Sequence, residues 1–146
     1  MYGLYLFGHR DCYELDDAVL QNAIEILINN GIDTFYIGNN GRFDDMAFSC
    51  LSSLQKTHKN ISFSVVLAYL PTKETQDVEY YAHSLYPEEV EAAPRKFAIE
   101  RRNAWMLDRS DYCICYVNRT FGGAYKFANK AKRRGITVIN LGRTEI

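Results

Sequence analysis

Several signatures of well-understood activities are missing from this 146-residue chain. The first strand-like run is followed by Gly8 alone, so the dinucleotide fingerprint G-x-G-x-x-G is absent, and so is the Walker A pattern. Classical NAD dehydrogenases and P-loop NTPases are poor readings. There is no basic excess: 17 Lys and Arg stand against 18 Asp and Glu, for a net charge of −1. That argues against a general nucleic-acid binder. None of the four cysteines has zinc-ligand spacing, and the sequence implies no cofactor or metal. No apolar run reaches the roughly 18 residues of a membrane span. The chain opens directly on strand residues, without a signal-peptide pattern. We expect a cytoplasmic protein with reduced thiols and no membrane partner. No internal repeat, low-complexity tract or linker divides residues 1–146, which read as one domain.

What is present is an alternation of strands and helices. Met1 to Phe7 is an apolar run of strand formers that ends at Gly8-His9-Arg10-Asp11. Asp16 or Asp17 suits the cap of the next helix, whose inner positions are Ala18, Leu20, Ala23, Ile24, Leu27 and Ile28, with Gly31 as terminator. Asp33 to Ile37 is a second strand, followed by the loop Gly38-Asn39-Asn40-Gly41. A helix comes next, with Met46, Ala47, Cys50, Leu51 and Leu54 on its apolar face. Ile61 to Leu67 is a third strand. Pro94 suits the first turn of a helix running to about Arg109, with Ile99, Met106 and Leu107 inside. Asp111 to Val117 and Thr137 to Leu141 are the fourth and fifth strands, and a helix led by Gly122-Gly123 lies between them. Cys113 and Cys115 share one strand face and fill space under a helix. The pattern predicts an α/β, Rossmann-like three-layer α/β/α fold with a mainly parallel five-stranded sheet.

Thr72 to Ala93 has no clean period. It reads either as a binding loop or lid, or as a surface excursion with a short helix near Val78 to Ser84. Tyr80, Tyr81 and Tyr86 suit either stacking on a base or a subunit contact. Lys130 to Arg134 reads as the solvated, cationic end of a helix.

Ligands of open parallel sheets bind beyond the carboxyl ends of the strands. Three strand ends carry polar or glycine residues: Gly8-His9-Arg10; Gly38, Asn40 and Gly41 with Asp44; and Asn118, Thr120, Gly122 and Gly123. They converge on one cleft if the first and fourth strands are neighbours. The Gly122-Gly123 helix start offers bare N–H groups to a phosphate. Arg10 offers a guanidinium fork, or else pairs with Asp11 or Glu14. His9 reads as a phosphate donor, an acid or a structural loop histidine. Asp44 accepts from ribose hydroxyls or serves as a helix N-terminal charge. Arg102 sits near the inner face set by Ile99 and Met106, where a charge needs a partner. That partner is a phosphate or an ion pair from another segment.

The tract Ile99-x-x-Arg102-Asn103-x-x-Met106, then Ser110-Asp111, a hydrophobic strand and Gly122-Gly123, resembles the Lonely Guy phosphoribohydrolases. Their pattern is Met-x-x-Arg-Lys-x-x-Met, an Asp-led strand, then Pro-Gly-Gly-x-Gly-Thr-x-x-Glu. The Gly-His-Arg opening and the Asn-Asn-Gly loop are similar to the wider SLOG superfamily, which joins those enzymes with DprA-type proteins. The resemblance implies that Arg102 faces the ligand and that the chain forms a homo-oligomer, a dimer. Asn103 replaces the family lysine. No proline precedes Gly122, Tyr125 and Lys126 replace the later Gly and Thr, and Asn129 stands at the hydrolase Glu. The expected function is therefore binding of a nucleotide or nucleotide-derived ligand, as a sensor or sequestering module. The alternatives are a phosphoribohydrolase-like N-glycosidic hydrolase, with Asp44 or Glu14 as the carboxylate, and a DprA-like nucleic-acid or protein interaction module.

Overall fold

Period-two alternation in the first strand sends Leu4 and Leu6 to one face of a sheet and Tyr5 and Phe7 to the other, and the two core clusters divide on this line. The computed structural model describes residues 3–70 and 81–146. Its strands are β1 (Gly3–Gly8), β2 (Thr34–Ile37), β3 (Ser62–Val66), β4 (Ser84–Leu85), β5 (Tyr112–Tyr116) and β6 (Thr137–Asn140). They form one sheet in the order β4-β3-β2-β1-β5-β6, and every neighbouring pair is parallel. The sheet thus has six strands where five were expected. The sixth, β4, is two residues long, too short to show a period in sequence. It extends the sheet edge by pairing Ser84 and Leu85 with Val65 and Val66.

The helices lie where right-handed crossovers place them. Helix α1 (Asp17–Asn29) and helix α2 (Arg42–Thr57) link strands that step from β1 towards β3, and both cover the Leu4 face. Leu20, Ile24, Leu27 and Ile28 of α1 are buried against Phe43, Met46, Ala47, Cys50, Leu51 and Leu54 of α2 and the sheet. Asp16 caps α1 by accepting from the Ala18 amide at 2.9 Å. Ala18 itself is exposed, one position outside the inner stripe. On the Tyr5 face, α4 (Ala98–Asp108) and α5 (Gly123–Arg133) follow the chain in the opposite direction across the sheet. Met106, Leu107, Phe127, Ala128 and Ala131 pack there on Cys113 and Cys115. All four cysteines are free and buried. Burial pushes the Cys113 thiol up to about 12 and the Cys50 thiol up to about 11, so neither is a ready nucleophile.

The irregular stretch resolves in part. Residues 71–80, which include Tyr80 and the first three positions of the short helix expected near Val78 to Ser84, lie outside the described residues. Tyr81 and Ala82 are helical, and β4 follows. The four-residue helix α3 (Glu88–Glu91) comes next, then a 3₁₀ turn, Arg95–Phe97, which leads from Pro94 into α4. The helix expected from Pro94 to Arg109 is therefore tighter in its first turn. Tyr86 is half-buried and packs against the small cluster of Ala68, Val90 and Ala98. No described helix is long and apolar enough to cross a membrane.

Candidate functional site

The chain order reverses between β1 and β5. Strands β2 and β3 build outward on one side of β1, and the chain then returns to lay β5 on the other side. Loops leaving β1 and β5 therefore diverge to opposite faces and leave a crevice at their carboxyl ends. The condition set on the sequence is met: β1 and β5 are neighbours, in register from Leu4–Tyr112 to Gly8–Tyr116. A cavity of about 330 Å³ occupies this position.

Nine of the residues selected from the sequence line it: Gly8, His9 and Arg10 after β1, Gly38 and Asn40 after β2, Asp44 on α2, Arg102 and Asn103 on α4, and Gly123 on α5. Gly41, Asn118, Thr120 and Gly122 do not. Gly41 and Gly122 have φ of +124° and +91° and start α2 and α5, so they shape the loops. Asn118 and Thr120 are exposed.

Arg102 is the centre of the wall. It is 4% exposed. Its Nε donates to the Asn103 side-chain oxygen at 3.0 Å, and its Nη1 donates to the side-chain oxygens of Asn39, at 3.3 Å, and Asn40. All three acceptors are neutral amides. Among the described residues no carboxylate forms an ion pair with Arg102. The ion-pair alternative is therefore not what holds this cation.

Asp44 flanks the same strand end. One of its oxygens accepts from the Asn40 amide at 2.8 Å. Burial raises its pKa, with the Arg102 charge and the Asn40 N–H pulling the other way. Gly38 makes the arrangement possible: a Cβ there would lie 2.9 Å from Asp44 Oδ2 and 3.0 Å from Arg102 Cζ. Glu14, the other carboxylate considered, is exposed and outside the cavity.

His9 ties the two strand ends together. Its backbone N–H donates to the Tyr116 carbonyl at 3.2 Å, and its ring Nε2 accepts from the Asn118 N–H at 3.2 Å. An accepting Nε2 places the ring proton on Nδ1 and makes the ring neutral. Burial lowers its pKa first, and the nearby Arg119 cation lowers it further. In this arrangement His9 is a loop histidine with a structural bond.

Arg10 is exposed and has no ion pair among the described residues. Asp11 pairs instead with Arg119, at 3.2 Å, and this bond holds the Asp11 carboxyl below the usual range. Arg119 was not selected from the sequence, yet it lines the cavity. Its guanidinium lies 5.1 Å from the Phe121 ring centre. Its Nε is buried with no hydrogen-bond partner among the described residues. The signal was a cation at a strand end, beside Asn118 and Thr120. What could not be read was which of three adjacent polar side chains turns inward.

Tyr5, Phe7, Met106 and Phe127 supply an aromatic and aliphatic wall that was also not selected. Burial pushes the Tyr5 phenol well above its ordinary value, so it stays neutral. On the α5 side no side chain caps the helix start. A Cβ at Gly123 would meet nothing within 4 Å, so its backbone is open to an approaching group. Asn129 donates back to the Tyr125 carbonyl at 3.0 Å and lies outside this cavity.

No protein-family model matches the chain, and no curated protein matches it significantly.

Proposed function

We propose that the chain binds a nucleotide-type anion in the crevice between β1 and β5, as a sensor or sequestering module of the SLOG kind. The observation that carries this reading is the charge of the cavity wall. Arg10, Arg102 and Arg119 line it with one carboxylate, Asp44, which burial biases towards its neutral form, while Asp11, outside the lining, pairs with Arg119. The buried Arg102 guanidinium is hydrogen-bonded to amide oxygens, with Asp44 close enough to act on its charge without forming an ion pair, and a phosphate adds charge-assisted bonds to it. The unpartnered Arg119 Nε is a further donor of the same kind. The apolar wall of Tyr5, Phe7 and Phe127 suits a base, and 330 Å³ is at the small end of ligand pockets.

The test is calorimetry with nucleoside 5′-monophosphates of the four bases beside the matching nucleosides. Binding that requires the phosphate and weakens with salt is expected. Absence of heat with every monophosphate, or equal affinity for nucleoside and monophosphate, refutes the reading.

A second reading, cleavage of the N-glycosidic bond, is favoured by one observation: Asp44 is a carboxylate inside the cavity. To stabilise an oxocarbenium-like state it must be ionised, which Arg102 and the Asn40 N–H favour and burial opposes. Chromatography for free base after incubation with the monophosphates tests it. Cleavage lost in Asp44→Asn supports it, and unchanged substrate at high protein concentration removes it.

A further inference from the structure

The cavity does not end at α5. A second, wider groove of about 760 Å³ opens from it between α4 and α5, and Asn103, Gly123 and Phe127 line both. Its remaining walls are dominated by cations: Lys96, Lys126, Lys130 and Arg133, against Glu100 alone. Lys126, Lys130 and Arg133 follow one another at helical spacing, so they form a single stripe along α5. The stripe begins beside Gly123, at the mouth of the first cavity, and continues away from it. At 1.5 Å per residue the helix carries the groove for about 15 Å from Gly123 to Arg133.

The basic run at the end of α5 is thereby sorted into two sets. Lys132 donates to the carbonyl of Ile146, and Arg134 pairs with Asp108 at 2.7 Å. Lys130 and Arg133 instead face the groove, and neither forms an ion pair among the described residues. Lys130 Nζ stands 5.5 Å from the Phe127 ring centre, at the junction of the two compartments. Tyr125 adds a half-buried aromatic ring to the groove wall. A helix end needs cations for its dipole, but the dipole does not require them on one stripe that adjoins a cavity of the same charge preference.

From this continuity we infer that the natural ligand has two anionic units, as in a 5′-phosphorylated dinucleotide. One unit sits in the crevice at Arg102 and the second lies along Lys126, Lys130 and Arg133. The inference rests on the nucleotide-binding reading of the crevice and extends it to the class of ligand. The first cavity is sized for one unit, and the second groove supplies the length, charge and aromatic surface for the next.

The experiment compares 5′-phosphorylated dinucleotides with the matching mononucleotides by calorimetry. It uses the full chain and a variant combining Lys126→Gln, Lys130→Gln and Arg133→Gln. Dinucleotides are expected to bind at least tenfold more tightly than mononucleotides. In the triple variant this advantage disappears while mononucleotide affinity stays within twofold, and a melting curve verifies that the fold is intact. Equal affinity for both ligands in the parent chain overturns the two-unit inference and leaves the crevice reading standing. Binding by neither overturns both. Affinity that keeps rising from dinucleotide to decanucleotide also overturns it, because the groove then holds a nucleic-acid strand.

Discussion

Replacing Arg102 with methionine separates what this side chain does for the fold from what it does for a ligand. Methionine keeps the apolar stem of the side chain while removing the guanidinium, with its charge and all donors. The folded state loses three hydrogen bonds, to Asn39, Asn40 and Asn103. These asparagines are only half-buried, so water replaces part of what is lost. A bond from a charged donor is worth about 1.5–3 kcal/mol at most, water contact brings each of these nearer to about 1 kcal/mol, and relief of a buried charge offsets some of it. The expected destabilisation is about 1–3 kcal/mol, a fall in Tm of roughly 3–9 °C at this chain length. The ligand loses a hydrogen bond from a charged group, about 1.5–3 kcal/mol, so mononucleotide affinity falls roughly 10- to 150-fold. Arg102→Lys retains the charge but not the planar fork, and its affinity is expected between the two. Thermal melting and calorimetry on the three proteins decide the matter. If Tm falls as calculated while mononucleotide affinity stays within twofold, Arg102 is a structural residue and the crevice is not the site.

Three more outcomes follow from the geometry. His9 has a lowered folded-state pKa, whereas the unfolded ring titrates near 6.5. Its stabilising neutral form is thus fully effective above about pH 6.5, and the benefit is lost as pH falls from there through the folded value. Urea midpoints at pH 7.5 and pH 5 should drop more for the parent chain than for His9→Asn, and equal drops would contradict the tautomer assigned here. Gly8→Ala places a Cβ 2.6 Å from the buried Phe43 ring. Overpacking of this kind costs about 1–3 kcal/mol, and an unchanged denaturation midpoint would show that the ring yields freely. Gly123→Ala is the converse case: its Cβ meets no protein atom within 4 Å and alanine favours the helix by up to about 1 kcal/mol. Stability should hold or rise while mononucleotide affinity falls, and unchanged affinity would remove the α5 backbone from the ligand seat.

Much of this arrangement is legible in the sequence. Strand and helix positions follow from period and punctuation: the Asp16 cap, the glycines that end β1 and follow β2, and the inner stripes of α1 and α2 are local matters of backbone and side-chain chemistry. So is the burial of Arg102, one turn from Ile99 and Met106 on the same helix. The same local logic placed Cys113 and Cys115 together on one face of β5, under the helices that cover them.

Other features depend on neighbours far away in the chain. The adjacency of β1 and β5 is a property of sheet order, and it alone turns three separate strand-end loops into one crevice. The two-residue β4 exists only because β3 offers an edge to pair with. Thr120 and Arg119 look equally eligible in the sequence, but the ion pair of Arg119 with Asp11, 108 positions away, is formed only in the folded chain, where Arg119 lines the cavity and Thr120 does not. The basic run ending α5 is uniform in sequence. It divides into a tied set and a groove-facing set because Asp108, Ile146 and α4 surround the helix on different sides. Local sequence determined which elements form and which residue types stand at their ends. Long-range packing decided which of those ends meet, because contact between distant segments is set by the order of the sheet.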